Sequence, residues 1–284
     1  MLSYLHGFHA GNHADVFKHA VLTLLLEALL AKPKPLVYLD THAGAGVYDL
    51  ESGQAGKTGE SAGGIGRFWA QRAAFPELAS YVAAIAAHNP DGGCRRYPGS
   101  PLLAGHLLRT HDRLILMELH PNEIATLRQT ALGDPRIHLH HRDGFEGLPA
   151  LLPPKPARGL VLIDPPYEVK SDYKRVADGL AAAYARWPTG VYAVWHPRLG
   201  VQRDQADSLL RRCLRHVPAL LVTTLQVRPQ TDDFGLHGSG MAIINPPWQF
   251  AERLTAVMPR LAAVLADGSL QANGWSLEWR KRNV

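Results

Sequence analysis

The residues best suited to chemistry are the tetrad Asp164-Pro165-Pro166-Tyr167, which follows a short apolar run. A carboxylate and the carbonyl of a proline, whose φ is fixed, can accept the two N–H bonds of an exocyclic or amide nitrogen. A neighbouring aromatic ring can stack on the group that carries this nitrogen. The tetrad therefore predicts methyl transfer to such a nitrogen, with Asp164, Pro165 and Tyr167 as catalytic residues. A strand followed by a plain Pro-Pro turn is the alternative.

Strands must bring this tetrad together with other polar residues. Three short strands are predicted, each ending at or just before a carboxylate, over residues 114–118, 136–141 and 160–164. Ligands of open α/β sheets bind in the crevice beyond the carboxyl ends of the strands. We therefore expect Glu118, Asp143 and Asp164 to lie along one edge of a sheet. Asp143 could accept a hydrogen bond from a cofactor adenine, or it could simply cap a helix.

A glycine-rich turn follows a further strand, predicted over residues 35–40. Residues 41–46 read Thr-His-Ala-Gly-Ala-Gly. Such a turn lets backbone amides approach a nucleotide-like cofactor, and Gly44 is expected to contact it. The third glycine of the dinucleotide fingerprint is missing. This favours S-adenosylmethionine over NAD, because a sulfonium cofactor has no pyrophosphate to place at the helix end. A tight strand-to-helix turn would have the same sequence.

Residues 48–97 have a helical pattern and separate this turn from the next strand. The acid that binds the ribose of a cofactor is expected roughly 20 residues after the glycine turn, and Glu118 lies much further on. Leaving out residues 48–97 restores a spacing close to that expectation. We therefore predict a core formed by residues 1–47 and 98–284, with a helical insertion subdomain over residues 48–97.

The remaining pattern completes an alternating α/β chain. Asn12 is predicted to cap a helix that ends at Lys32, and Ser100 and Ser171 to cap two others. A polar loop over residues 228–240 could lie above a substrate. The other elements are a helix near residues 201–215 and strands over residues 190–196, 220–227 and 241–245.

A second tetrad, Asn245-Pro246-Pro247-Trp248, is a rival catalytic site. It follows six predicted strands, whereas Asp164 follows the glycine turn, Glu118 and Asp143 in the order expected for a fourth strand. The order of the strands therefore favours Asp164.

Composition limits the class of protein. The chain has 284 residues, 46% of them hydrophobic, a formal net charge of +5 and 2 cysteines without CxxC spacing. These numbers allow a full core, fit a polyanionic partner and support neither a disulfide framework nor a thiolate zinc site. Histidines at positions 9, 13 and 19 have no familiar metal-ligand spacing, so no metal is expected. Without an apolar run of about 18 residues, a signal peptide or a heptad pattern, the chain is expected to be a cytoplasmic monomer with no membrane segment and no obligate protein partner.

Several motifs taken together resemble the RlmJ family, adenine-N6 methyltransferases of 23S ribosomal RNA. The resemblance covers essentially the whole chain. Its motifs are His-Ala-Gly-Asn-His-Ala-Asp at 9–15, Lys-His at 18–19, the turn at 39–46, Tyr-Pro-Gly-Ser-Pro at 97–101, Glu-Leu-His-Pro at 118–121, Asp-Gly-Phe at 143–145, Ile-Asp-Pro-Pro-Tyr at 163–167 and Asn-Pro-Pro-Trp at 245–248.

This resemblance implies a class I S-adenosylmethionine-dependent methyltransferase. Its fold would be Rossmann-like, with a seven-stranded, mostly parallel sheet and a helical insertion after the first strand. Asp164 would accept the target amino group, and Tyr4 would contact the RNA. The residues implied to surround the cofactor are His19, His42, Ser100, Glu118, Asp143, Gly144 and Asp164.

Three alternatives stay open. Methyltransferases of DNA adenine and of a protein glutamine amide also use Asn/Asp-Pro-Pro-aromatic tetrads. A DNA enzyme would usually need a sequence-reading domain, and a glutamine enzyme normally has Asn where Asp164 stands. The third alternative is a non-catalytic RNA-binding protein on a methyltransferase-like scaffold, which would not bind S-adenosylmethionine.

Overall fold

The computed structural model describes residues 5–52, 59–232, 235–270 and 274–281. The strands are β1 Val37–Asp40, β2 Val47–Asp49, β3 Arg96–Pro98, β4 Arg113–Glu118, β5 Ile137–His141, β6 Gly159–Ile163, β7 Val191–Leu199, β8 Ala219–Gln226, β9 Leu236–Ile244 and β10 Trp275–Lys281. The α-helices are α1 His13–Leu30, α2 Arg67–Ala70, α3 Ala79–Ala87, α4 Ser100–Leu107, α5 Pro121–Thr130, α6 Gly144–Leu151, α7 Ser171–Arg186, α8 Ala206–Leu214 and α9 Phe250–Leu265.

The central sheet has the strand order β10-β8-β9-β7-β6-β1-β4-β5. The strands β7, β6, β1, β4 and β5 pair in parallel, whereas β9, β8 and β10 continue the sheet in antiparallel pairs. After β1 the chain forms β4 and β5 on one side of this strand, and it then crosses over to form β6 and β7 on the other side. The strand order therefore reverses at β1, and such a switch point is where these sheets bind ligands. The predicted α/β class with a mostly parallel sheet is confirmed.

The predicted number of seven strands is wrong, because the described part of the main sheet has eight. The additional strand is β10, which pairs with β8 from Trp275 opposite Leu225 to Lys281 opposite Ala219. Its alternate side chains Trp275 and Leu277 pack against the hydrophobic cluster that contains the apolar residues of α1. Residues 275–281 therefore complete the sheet.

Helix α1 is mostly apolar, and other elements surround it. It begins after Asn12, whose side chain accepts a hydrogen bond from the amide of Asp15, as predicted, and it ends two residues before the predicted Lys32. Its residues from Ala14 to Leu26 are all buried. A helix that is hydrophobic all round belongs in the interior of a domain, and α1 packs against β7 and β9 as well as α4 and α9.

The segment over residues 48–97 is closed at its base by two strands that the sequence did not predict. Strands β2 and β3 pair antiparallel, with Val47 opposite Pro98. The described residues between them include short helical turns, α2 and α3. Apolar residues of this segment, including Phe68 and Tyr81, belong to the same cluster as those of α1. The division into a core and an insertion subdomain stays a prediction.

Two predicted helix caps are wrong by one residue. Ser100 and Ser171 are the first residues of α4 and α7, and the residues that precede them, Gly99 and Lys170, occupy the cap positions. The Ser100 hydroxyl instead donates to the Asp40 carboxylate. The predicted loop over residues 228–240 is also shorter, because β9 already begins at Leu236; residues 233–234 lie outside the described residues.

A close contact between glycines joins the segment 59–66 to the start of α1. Ile65 donates its amide hydrogen to the carbonyl of Gly11 at 2.7 Å. A Cβ on Gly64 would lie 2.2 Å from that carbonyl oxygen, whereas a Cβ on the adjacent Gly63 would meet nothing within 4 Å. The backbone can approach this closely only because residue 64 has no side chain.

We expect Gly64→Ala to destabilise the protein by about 1–3 kcal/mol, because the extra methyl must push the two backbones apart. Gly63→Ala is the matched control, and it should be neutral or slightly stabilising, since Ala restricts the unfolded chain. Denaturant unfolding measures both. Equal free energies of unfolding for the two variants would contradict this packing.

Candidate active site

Four carboxylates stand at the carboxyl ends of four adjacent strands. Asp164 follows β6, Asp40 ends β1, Glu118 ends β4 and Asp143 follows β5. These strands are neighbours in the order β6-β1-β4-β5, and all pair in parallel. The structure therefore places these side chains along one edge of the sheet, on either side of the switch point.

Asp164 is bound by a buried lysine from α1. The Nζ of Lys18 lies 2.5 Å from Oδ2 of Asp164 and 2.9 Å from Oδ1 of Asp15. Burial would lower the pKa of Lys18, but Asp15 and Asp164 outweigh burial and raise this pKa above its ordinary value. Lys18 is therefore a charged group held between two carboxylates, and it ties the start of α1 to the end of β6.

Asp15 is fixed in turn by the N-terminal segment. Its Oδ2 lies 2.9 Å from Nε2 of His6 and accepts a hydrogen bond of 2.9 Å from the amide of Gly11. Burial would raise the pKa of Asp15, but the charges of His6 and Lys18 hold this pKa well below its usual range. The ion pair of Lys18 is thus part of a continuous polar network that starts at His6.

Lys18 has no predicted role from the sequence motifs, although its position carries a signal. Lys18 stands inside an apolar helix, next to Phe17 and two residues before Ala20, at a position where a side chain must be buried. Lysine is almost never fully buried unless it is paired. This pattern alone predicts a carboxylate partner, but it does not identify that partner.

Tyr167 is largely buried. It has φ +51°, and its hydroxyl donates to the carbonyl of Trp195 at 2.6 Å. Its ring packs against the rings of Tyr173 and Trp195, with centroids 4.6 Å and 5.8 Å away, and only 8% of the residue is exposed. Stacking on a target base stays a prediction, and it would require one face of the ring to become free.

The glycine turn is held by the acid at the end of β4. Gly44 has φ +62° and donates its amide hydrogen to Oε2 of Glu118 at 2.8 Å; the other oxygen accepts from the amide of His120 at 2.7 Å. A Cβ on Gly44 would lie 2.2 Å from the hydroxyl of Tyr48. Residue 44 must therefore be glycine for both conformational and steric reasons.

Ser100 reaches the same edge through Asp40. The Oδ2 of Asp40 accepts hydrogen bonds of 2.7 Å from the hydroxyls of Ser100 and Tyr38, and Oδ1 accepts one of 3.2 Å from the amide of His42. Asp40 is fully buried. Burial raises its pKa to about 6, although the hydrogen bonds from Ser100, Tyr38 and His42 oppose this shift.

The residues after β5 form the outer end of the site. Asp143 caps α6 by accepting from the amides of Phe145 and Glu146, and it also binds Arg175 at 2.5 Å. Asp143 is therefore a helix cap, which was one of its two predicted roles. A contact with a cofactor adenine stays a prediction. A Cβ on Gly144 would lie 2.1 Å from the carbonyl oxygen of Thr41, so α6 packs directly on the loop after β1.

Two histidines have a predicted contact with the cofactor. His42 packs edge-on against Phe145 with 5.1 Å between ring centroids, and burial lowers its pKa to about 4. His19 follows Lys18 on α1, and its Nδ1 lies 2.7 Å from the hydroxyl of Tyr97. Tyr4 lies outside the described residues.

The rival tetrad lies at the opposite edge of the sheet. Strand β9 runs antiparallel to β7, so its end at Ile244 lies opposite Tyr192, near the beginning of β7. The side-chain amide of Asn245 donates to the carbonyls of Pro188 and Gly190 at 2.8 Å each. The expectation that favoured Asp164 is supported, because the second tetrad does not share an edge with the four carboxylates.

Within the described ranges, His, Cys, Asp and Glu form no group of three or more that could hold a metal ion. No helix among those residues has the length and apolar character that crossing a membrane requires.

The parallel sheet, the switch point at β1 and the glycine turn between Asp40 and Glu118 define a class I methyltransferase fold. Residues 33–281 match the family model described as ribosomal RNA large subunit methyltransferase D, RlmJ. The chain therefore belongs to the RlmJ family, which confirms the resemblance found in the sequence.

Relatives match over nearly their whole length. The chain is 47% identical to the ribosomal RNA large subunit methyltransferase J of Escherichia coli K12, over 93% of this chain and 94% of that protein. It is 44% identical to the protein of the same name from Haemophilus influenzae, over 98% and 99%. A crystal structure of protein LPL1258 from Legionella pneumophila superposes with a TM-score of 0.85 at 36% identity, covering 96% of this chain and 98% of that chain.

The raised pKa of Asp40 predicts a pH-dependent contribution to stability. The folded protein holds a proton on Asp40 up to about pH 6, whereas the unfolded chain releases it near 3.8. Stability from this group therefore increases as pH falls through this window and is lost as pH rises through it. Relative to Asp40→Asn, the wild type should gain up to about 3 kcal/mol between about pH 7 and about pH 4. Denaturant unfolding at several pH values tests this, and parallel curves for the two proteins would contradict it.

Proposed function

We propose that this protein transfers the methyl group of S-adenosylmethionine to N6 of an adenosine in 23S ribosomal RNA, free or partly assembled. The observation that carries this proposal is the carboxylate of Asp164 beside Pro165 at the end of β6, in a chain that belongs to the RlmJ family. The names of its relatives support ribosomal RNA of the large subunit as the substrate class.

The residues at the edge fit the cofactor. Gly44 and Gly144 leave no space for a Cβ, because the hydroxyl of Tyr48 and the carbonyl of Thr41 lie beside them, so the glycine turn and the start of α6 pack closely at this edge. We propose that the cofactor is held there by His19, His42, Gly44, Ser100, Glu118, Asp143, Gly144 and Asp164. When bound, S-adenosylmethionine supplies an electrophilic methyl group on a sulfonium. No metal is required for this chemistry.

Asp164 and the Pro165 carbonyl are the acceptors for the target amine. Lys18 occupies Oδ2 of Asp164, and among the described residues no hydrogen-bond donor reaches Oδ1. One carboxylate oxygen is thus held in place while the other can accept an N–H. Positioned acceptors favour the amine geometry needed for attack, so most of the acceleration comes from orientation and electrostatics. Asp164 need not remove the proton before transfer.

Two aromatic side chains and the positive net charge are proposed to bind the RNA. Tyr4 and Tyr167 are proposed to contact the substrate, with Tyr167 stacking on the splayed-out base. The formal net charge of +5 favours binding of a polyanion, and such binding should weaken with added salt. We further propose that the protein acts in the cytoplasm as a monomer, without an obligate protein partner.

Methyl transfer from labelled S-adenosylmethionine tests the substrate. Protein-free 23S RNA from a strain that lacks this gene is the acceptor, and nucleoside mass spectrometry identifies the product. We expect labelled N6-methyladenosine. Labelling of DNA or of a protein glutamine instead would leave the methyltransferase fold intact and refute the RNA assignment. No labelling and no cofactor binding would favour the non-catalytic RNA-binding protein.

The role of Asp164 has its own test. Asp164→Asn keeps the shape of the side chain but removes its charge, so kcat should fall by about 100-fold or more. Cofactor affinity, measured by calorimetry, should change only a few-fold. A variant that turns over at a near-normal rate would show that transfer does not depend on the charge of Asp164.

A further inference from the structure

A chain of hydrogen bonds runs from the insertion to a histidine of α1. The hydroxyl of Tyr81 lies 2.8 Å from the hydroxyl of Tyr97, which lies 2.7 Å from Nδ1 of His19. Both tyrosines are fully buried, and His19 is 2% exposed. Tyr81 lies on α3 and Tyr97 on β3, so both phenols come from the segment over residues 48–97.

The protons of this chain can be assigned by accounting for each hydroxyl hydrogen. If Tyr81 donates to Tyr97 and Tyr97 donates to Nδ1 of His19, every hydroxyl hydrogen has an acceptor. In the opposite direction the hydrogen of Tyr81 would have no acceptor among the described residues. A buried donor without a partner costs about 1–3 kcal/mol. The chain is therefore directed from Tyr81 towards His19.

His19 carries only one ring proton in this environment. Burial lowers its pKa to about 3, with the charge of Lys18 acting in the same direction and that of Asp15 opposing it. A neutral imidazole that accepts a hydrogen bond at Nδ1 must carry its proton at Nε2. No described residue hydrogen-bonds to Nε2, which leaves this N–H available to a ligand.

We propose that Tyr97 and Tyr81 are positioning residues that hold His19 as the Nε2–H tautomer, so that Nε2 donates to an acceptor atom of the cofactor. This inference rests on the proposed assignment of His19 to the cofactor site. It gives the insertion a role in cofactor recognition: the inserted segment supplies the two hydroxyls that determine which nitrogen of His19 is the donor. Outer hydrogen bonds of this kind orient a ligating histidine in metal sites by the same logic.

Nitrogen NMR of the wild-type protein tests the tautomer directly. With ¹⁵N-histidine labelling, the signals of His19 are assigned by their absence in His19→Gln. We expect Nδ1 to have the shift of an unprotonated ring nitrogen and Nε2 that of a protonated one. A protonated Nδ1 in the wild type would overturn the proposal.

Kinetics of phenylalanine variants test the consequence. Tyr97→Phe lets His19 adopt either tautomer, so the KM for S-adenosylmethionine should rise about tenfold while kcat at saturating cofactor stays unchanged. Tyr81→Phe should produce a smaller rise in the same direction and a mixed tautomer of His19. The matched control is Tyr192→Phe, because Tyr192 is equally buried but donates to the carbonyls of Ala183 and Trp187, far along the chain from His19.

The control separates recognition from general stability. If Tyr192→Phe raises the KM as much as Tyr97→Phe, the effect is structural and the proposal fails. If His19→Gln binds the cofactor as tightly as the wild type, His19 is not a cofactor contact and the proposal fails with that assignment. Formation of N6-methyladenosine by the wild type is measured separately, so the proposed reaction can stand even if this inference does not.

Discussion

The site depends on one buried cation, Lys18, held between Asp15 and Asp164. Its side chain and that of Asp15 are 7% and 2% exposed, so neither charge is stabilised by bulk water. Breaking a buried ion pair by removal of one partner typically costs 3–5 kcal/mol. The start of α1 must therefore remain against the end of β6, because separating them would break the ion pair between Lys18 and Asp164.

The segment over residues 48–97 also packs against α1 and the residues that precede it. It contacts the N-terminal segment at Gly11 and Gly64, and it supplies Tyr81 and Tyr97 behind His19. Its apolar residues share one hydrophobic cluster with α1. Residues of this segment thus contact His19 and the start of α1, although they lie far from the tetrad in the sequence.

Local patterns predicted the parts of the fold that have a local cause. Apolar runs fix β1 and β6, which are buried along their whole length, and Asn12 starts α1 as expected. The partner of Lys18 could not be predicted, because 146 residues separate it from Asp164. The burial of Tyr167 and the bond from Ser100 to Asp40 also depend on tertiary contacts. Strand β10 was not predicted, because its polar residues do not indicate a strand. It forms through its pairing with β8.

A double-mutant cycle on the free energy of unfolding tests the central claim, that Lys18 and Asp164 form one buried unit. The cycle compares wild type, Lys18→Met, Asp164→Asn and the double variant. We predict a coupling of about 2 kcal/mol or more. Lys174 and Asp178 form an exposed pair at the same 2.5 Å separation, and the equivalent cycle should give less than about 1 kcal/mol. Additive effects of Lys18→Met and Asp164→Asn would contradict the account.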